Sequence, residues 1–213
     1  MENQSLLLKI INNEEGFYHG NLRHYFRLMF NAPNASHPNH NFRHMAYVTC
    51  MVYEGAKSVR YSRVIGKIGF KALMIASMLH DYDHCLENVD DKINIKRAVD
   101  GIEKFILDED INLLPQIIIL IGQTEFPHVK NNFSLGGSLL RDADLSQALS
   151  DVWIQQIVFG FAAEWNITPI QVLDKEIDYL STLDFETTWA KEKFGPLVQF
   201  KINEVNELIN ILS

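Results

Sequence analysis

Apolar residues recur at helical spacing along most of this chain, and no stretch shows the sustained alternation that marks a β-strand. Phe70, Leu73 and Met74 follow this spacing in one segment, and Ile95 and Ile102 follow it in another. A helix with one apolar face has to bury that face against its neighbours, so the pattern favours a helical bundle. With 213 residues and no repeat or linker, residues 1–213 are predicted to form a single all-α domain.

Breaks in the apolar pattern set the expected limits of the helices. Proline and asparagine are dense in residues 31–39, which predicts a loop, and residues 125–137 are expected to form another. Thr168 followed by Pro169 predicts a helix start, because threonine caps a helix and proline suits its first position. Helices are expected near residues 3–12, 20–30, 41–53, 66–79, 90–106, 113–123 and 138–165, then from 168, and over 200–212.

Charge and composition argue against several classes of partner. The net charge is −8, so the chain lacks the basic footprint that binds nucleic acid or an anionic membrane. Cys50 and Cys85 are the only cysteines and make no disulfide framework, and the acidic start MENQSLLLKIINNEEG lacks the basic region of an export signal. No apolar run approaches the roughly 18 residues that suggest a membrane span. The expected location is the cytoplasm.

Histidine and aspartate are concentrated in three short segments, namely His40–His44, His80–His84 and Arg141–Gln147. His40 and His44 are four residues apart, so they share one face of a helix. Imidazole and carboxylate are ligands that divalent cations prefer. A histidine–aspartate doublet at the end of a buried helix would also bury the negative charge of a carboxylate, which is unfavourable. A bound cation would neutralise that charge. These segments therefore predict a metal site.

The same segments resemble the metal-binding signature of the HD superfamily of phosphohydrolases, and most closely its cyclic-nucleotide phosphodiesterase branch. That branch carries His-Asn-x-x-His, His-Asp-x-Asp-His and Ala-Asp-Leu-Ser followed by an amide, which this chain matches at residues 40–44, 80–84 and 143–147. The resemblance covers about residues 40–150. The family's Gly-x-x-Asn is missing after His84, and only 64 positions (144 − 80) separate His80 from Asp144. The chain therefore resembles a compact bacterial relative.

The resemblance implies a metal-binding role for several of these residues. His44, His80, Asp81 and Asp144 would hold the first of two divalent ions, of which zinc, manganese, magnesium and iron are the candidates. Asp81 would bridge to the second ion, and His84 would touch that ion or orient its water. Hydroxide generated at the metals would then attack the phosphate.

Other assignments leave an alternative open. The resemblance makes His40 the general acid that protonates the leaving oxygen, whereas the structural alternative is a residue that caps the junction of loop and helix. Asp144 is preferred to Asp142 as the metal ligand because it stands in the Ala-Asp-Leu-Ser match, and two residues apart on a helix means nearly opposite faces. Asp142 is then expected to face away and to pair with Arg141 or with a histidine that supports the site, and Asp83 is expected to be a solvated or supporting carboxylate.

Candidate substrate contacts lie later in the chain. Thr124 and Glu125 stand where phosphodiesterases have Thr-Asp, and they form either a pocket wall or the last turn of a helix. Gln199 and Phe200 are candidates for reading the base, as a glutamine and an aromatic clamp do in phosphodiesterases. Further candidates are His128 for the metal site and Trp189 for the base. Arg43 and Lys130 either contact phosphate or lie on a solvated face, which is the favoured alternative. Trp153, Phe159, Phe161 and Trp165 are expected in the core.

The expected activity is hydrolysis of a small, phosphorylated, nucleotide-like substrate by a 3′,5′-cyclic-nucleotide phosphodiesterase-like enzyme. The second reading is a phosphohydrolase of nucleoside monophosphates. An HD-type di-iron oxygenase needs additional histidines between the doublet and the last aspartate, where only His84 and His128 occur. A sensor domain that keeps metal without turnover is a further alternative, and the negative charge disfavours a tRNA-handling enzyme.

Overall fold

A computed structural model describes residues 2–86, 89–127 and 133–212, and over these ranges it contains eleven α-helices and no β-strand. The all-α fold class is thus confirmed. The helices are α1 (Glu2–Asn12), α2 (Arg23–Phe30), α3 (Phe42–Ser58), α4 (Tyr61–Leu79), α5 (Asp91–Phe105), α6 (Leu114–Gly122), α7 (Leu135–Leu145), α8 (Gly160–Glu164), α9 (Pro169–Thr182), α10 (Thr188–Lys193) and α11 (Gly195–Leu212).

Helix α4 is the centre of the bundle. It is buried on all sides from Gly69 to its C-terminal cap His80, because α2, α3, α6 and α7 pack around it. Gly66, with a φ of 70°, separates this buried part from the exposed start of the helix, a conformation that glycine adopts without strain. The histidine–aspartate doublet therefore emerges at the end of a fully buried helical segment.

The helix starts follow local capping chemistry. The Asn41 side chain accepts hydrogen bonds from the backbone N–H groups of Arg43 and His44, which starts α3. Thr168 and Gln171 form a capping box at the start of α9, as the threonine–proline pair predicts. Helix α11 begins at Gly195, five residues before the expected start.

The expectation of one helix over residues 138–165 is wrong. Helix α7 ends at Leu145, where the Ser146 hydroxyl donates to the carbonyl oxygen of Ala143 and the chain tightens into a 3₁₀ turn, Ser146–Leu149. Ser150 is extended, and a π-helix, Ile154–Phe159, then leads into α8. This break turns α8 back toward the start of α3 and lets α9 and α11 pack as a pair beside it.

None of the helices in the described ranges is both long enough and apolar enough to cross a bilayer.

Candidate metal centre

Four side chains from three helices converge beside the end of α4. His44 lies in the first turn of α3, His80 caps α4, Asp81 follows in the next turn, and Asp144 lies in the last turn of α7. His44 and His80 are buried, and the carboxyl groups of Asp81 and Asp144 are partly exposed. The arrangement follows from α4, because α3 and α7 both pack against it.

The distances between these groups fit a single cation. Nε2 of His44 lies 3.1 Å from Nε2 of His80, 3.0 Å from Oδ2 of Asp81 and 3.1 Å from Oδ1 of Asp144. Nε2 of His80 lies 3.4 Å from Oδ2 of Asp81 and 3.8 Å from Oδ1 of Asp144. Ligand atoms about 2.1 Å from a tetrahedral ion are about 3.4 Å apart, so His44, His80 and Asp81 fit one divalent cation, and Asp144 approaches the same two nitrogens.

Hydrogen bonds fix the orientation of both imidazoles. Nδ1–H of His44 donates to the side-chain oxygen of Gln147, and Nδ1–H of His80 donates to the carbonyl oxygen of Ser77 at 3.1 Å. Because both acceptors are oxygens, each Nδ1 carries the proton and each Nε2 presents its lone pair to the centre. Ligand histidines are commonly held in this way. Gln147, the amide residue that ends the third motif, therefore orients the His44 ring.

The electrostatics of the cluster favour added positive charge. Burial lowers the pKa of His44, but the hydrogen bonds and charges of Asp144 and Asp81 outweigh it and hold the pKa well above its usual value. Burial raises the pKa of Asp81, but the charges of His80 and His44 outweigh it and hold the pKa well below its usual value. The carboxylates thus draw a proton onto His44, and a divalent cation would supply the same compensation.

A second group of potential ligands, His40, His84 and Glu164, lies next to the first. Nδ1–H of His40 donates to Oε1 of Glu164 at 2.5 Å, and Oε2 of Glu164 accepts from the backbone N–H of Asn39 at 3.0 Å. The rings of His40 and His84 are stacked, with centroids 3.7 Å apart and planes 13° apart. In-plane lone pairs of parallel rings do not converge on one ion, so this group suits proton transfer better than metal binding.

The two stacked histidines have opposite pKa shifts. Burial lowers the pKa of His40, but the hydrogen bond that its ring donates to Glu164 and the charges of Asp81 and Glu164 outweigh it, so the net pKa is raised. Burial and the neighbouring His40 lower the pKa of His84 to about 4. Such divergent environments favour a proton on His40 over one on His84, which stays neutral.

Asn34 joins the two groups and was missed by the sequence analysis, which assigned it to a loop. Its amide donates to the carbonyl oxygens of His40 and Asp81, each at 2.8 Å, and its oxygen accepts from the backbone N–H of Asp83 at 2.8 Å. The side chain is fully buried. It therefore holds the start of α3 and the turn after α4 at a fixed separation. Asp83 itself pairs with Arg97 at 3.0 Å.

Asp142 points away from the four converging side chains. It is 0% exposed and accepts from the backbone N–H groups of Glu186 and Thr187 at 2.9 and 2.7 Å, and from the hydroxyl of Thr187 at 2.7 Å. Thr187 caps α10, so Asp142 anchors that helix to α7. The orientation is the expected one, but the partner is a helix start and not the adjacent arginine or a histidine.

We expect Asp142→Ala to lower the free energy of unfolding by about 2–4 kcal/mol, because it leaves the buried N–H and hydroxyl of Thr187 and the backbone N–H of Glu186 without their acceptor. Chemical denaturation measures the loss, and the metal content per folded chain should equal that of the wild type. Asp144→Ala is the matched comparison, because it should lose metal. Metal loss from the Asp142 variant would contradict the assignment of Asp144 as the ligand.

Both groups open onto a cavity of about 820 Å³, which is within the size range of small-molecule sites. Thr124 and Glu125 line it, as one of the two readings of these residues expects. Phe161 and Trp165 also line it and are stacked with centroids 4.1 Å apart, so they form a cavity wall instead of lying in the core. Phe159 is 56% exposed, and of the four aromatics expected in the core only Trp153 is fully buried there.

Gln199 and Phe200 do not reach the cavity. Gln199 donates to Asn203 on the surface of α11, and Phe200 is 68% exposed on the same helix. Trp189 is buried against Phe194, and Arg43 is exposed outside the cavity lining. A base-reading role for the Gln199–Phe200 pair therefore has no support from its position. His128 and Lys130 lie outside the described residues.

Comparison of the chain with protein-family models, with curated proteins and with solved structures finds no significant match.

Proposed function

We propose that this protein is a metal-dependent phosphoester hydrolase, with a phosphodiesterase-like site that acts on a small nucleotide-like substrate. The observation that carries the proposal is the proximity of two chemically different groups at one end of a cavity. One group offers two imidazole nitrogens and two carboxylates at cation-binding distances, and the other offers a histidine with a raised pKa hydrogen-bonded to Glu164. The motif resemblance to HD phosphohydrolases points to the same chemistry.

His44, His80, Asp81 and Asp144 are the residues that would hold the metal. A divalent cation there would neutralise phosphate oxygens and make hydroxide available at neutral pH. The −8 net charge gives such a cation further importance, because the chain as a whole repels a phosphate anion.

His40 is suited to protonate the leaving oxygen. Its Nδ1–H is bonded to Glu164, so Nε2–H is the proton that the ring can give, and the side chain lines the cavity. Glu164 stabilises the protonated imidazole and fixes its orientation, in the way a carboxylate positions a catalytic histidine. Neutral His84 stacks against the ring and limits its rotation.

A substrate panel tests the proposal directly. Protein loaded separately with zinc, manganese, magnesium or iron is assayed against 3′,5′-cyclic nucleotides, nucleoside monophosphates and p-nitrophenyl mono- and diesters. We expect metal-dependent hydrolysis with diesters preferred over monoesters. Preference for monoesters would favour the nucleoside monophosphate phosphohydrolase, and oxygen consumption without hydrolysis would favour the oxygenase.

A further inference from the structure

Glu176 lies on the wall of the cavity formed by α9. Val172, Glu176 and Tyr179 all line the cavity and follow one another at spacings of four and three residues, so they form one face of that helix. Glu176 is 5% exposed. Burial raises the pKa of the Tyr179 hydroxyl, and the charges of Glu176 and Asp144 raise it further.

Glu176 differs from the other carboxylates that are fully buried in the described part of the chain. Asp110 accepts from a lysine and a tyrosine, Asp142 accepts three hydrogen bonds, and Glu164 binds His40 and backbone N–H groups. Oε1 of Glu176 is buried and has no hydrogen-bond partner. A buried carboxyl oxygen without a donor destabilises the fold, and a ligand in the adjoining cavity can supply that donor when the side chain turns toward it.

The nearby ammonium group of Lys201 does not supply the missing hydrogen bond to Glu176. Lys201 on α11 lowers the pKa of Glu176, but burial outweighs it and raises the pKa to about 7. The ammonium of Lys201 is ion-paired with Glu204 at 2.6 Å and lies 4.4 Å from the ring centroid of Trp153. Lys201 therefore reduces the unfavourable charge of Glu176 without satisfying its hydrogen bonds.

The surroundings of Glu176 fit a planar ring. Phe126 and Tyr179 line the cavity with ring centroids 6.3 Å apart, and the stacked pair Phe161–Trp165 forms another part of the lining. Aromatic faces favour stacking with flat heterocycles. A ring stacked on one of these aromatic faces would leave its edge for polar contacts with the cavity wall.

We propose that Glu176 and Tyr179 form a subsite for a planar heterocycle that carries adjacent N–H donors, such as the edge of guanine. Two parallel N–H groups match the two oxygens of one carboxylate, as they do in bidentate pairs. The guanine edge offers such neighbouring donors, whereas the adenine edge pairs a donor with an acceptor. The inference rests on the proposed function, because it places the phosphate at the metal end of the cavity and the ring at Glu176.

The test uses guanosine and adenosine, which lack the phosphate, and measures their binding to the full chain by NMR titration at pH 8. We expect guanosine to bind at least about tenfold more tightly than adenosine, and Glu176→Gln to remove most of that preference by replacing an acceptor with a donor. Asp174→Asn is the matched control, because Asp174 is exposed on the same helix and it should leave both affinities unchanged.

A second variant, which is expected to fold normally, distinguishes loss of binding from loss of folding. Tyr179→Phe should weaken guanosine binding by about threefold to tenfold while the thermal unfolding profile stays intact. Undetectable guanosine binding, equal binding of the two nucleosides, or equal guanosine affinity in the wild type and Glu176→Gln overturns the inference. Hydrolysis of bis-p-nitrophenyl phosphate, a diester without a base, tests the metal end separately, so failure of the subsite and failure of the proposed function give different results.

Discussion

Replacing Asp81 with alanine is expected to abolish both metal retention and hydrolysis. Asp81 places Oδ2 within 3.4 Å of both ligand nitrogens, and it is the residue that the motif resemblance assigns as the bridge between two ions. Loss of an outer partner of a ligand typically lowers metal affinity or activity roughly 10–100-fold, so loss of the ligand itself should exceed that range. Metal analysis of the purified protein and the diester assay measure the two effects.

Asp83→Asn is the matched control for Asp81→Ala. Asp83 lies in the same turn, but it has a φ of 62° and pairs with Arg97, away from the metal ligands. Asparagine tolerates that left-handed conformation, so the variant removes a charge without straining the backbone. It should keep its metal and most of its rate. Full metal content and rate in Asp81→Ala would refute the bridging role.

The sequence motifs pointed to the four side chains that converge in the structure because each of them lies within a short local pattern. The doublet at residues 80–81 follows an apolar helix, so its position at the end of a buried element could be expected from periodicity alone. Helix capping at Asn41 and Thr168 was equally local and could be anticipated from residue type. Features that depend on residues within one helical turn, such as helix caps and helix ends, can therefore be predicted from the sequence.

Residues that depend on tertiary packing could not be found in this way. Glu164 reaches His40 across 124 positions, and it does so only because the chain breaks after α7 and passes through a π-helix. The apolar pattern continues through that break, which is why a single helix over residues 138–165 was expected. Glu176 likewise looks like an ordinary polar residue on an amphipathic helix, and only its burial without a partner distinguishes it.

The largest effect expected outside the metal ligands is that of His40→Ala, which should keep its metal yet lose roughly 10²–10⁴ in rate on diesters with a poor leaving group. With p-nitrophenolate, which leaves without protonation, the loss should be much smaller. The physical basis is that His40 lines the cavity and keeps a raised pKa through Glu164 without belonging to the first ligand group.

Glu164→Gln separates this acid role from a purely structural one. The amide can still accept a hydrogen bond from Nδ1–H of His40, but it no longer stabilises the charged ring, so the pKa of His40 should fall. Since the protonated form is the acid, the rate on poor leaving groups should begin to decline at a lower pH than in the wild type, whereas the p-nitrophenyl rate should change little. An equal loss on both leaving groups in His40→Ala, at full metal content, would remove the acid role from His40.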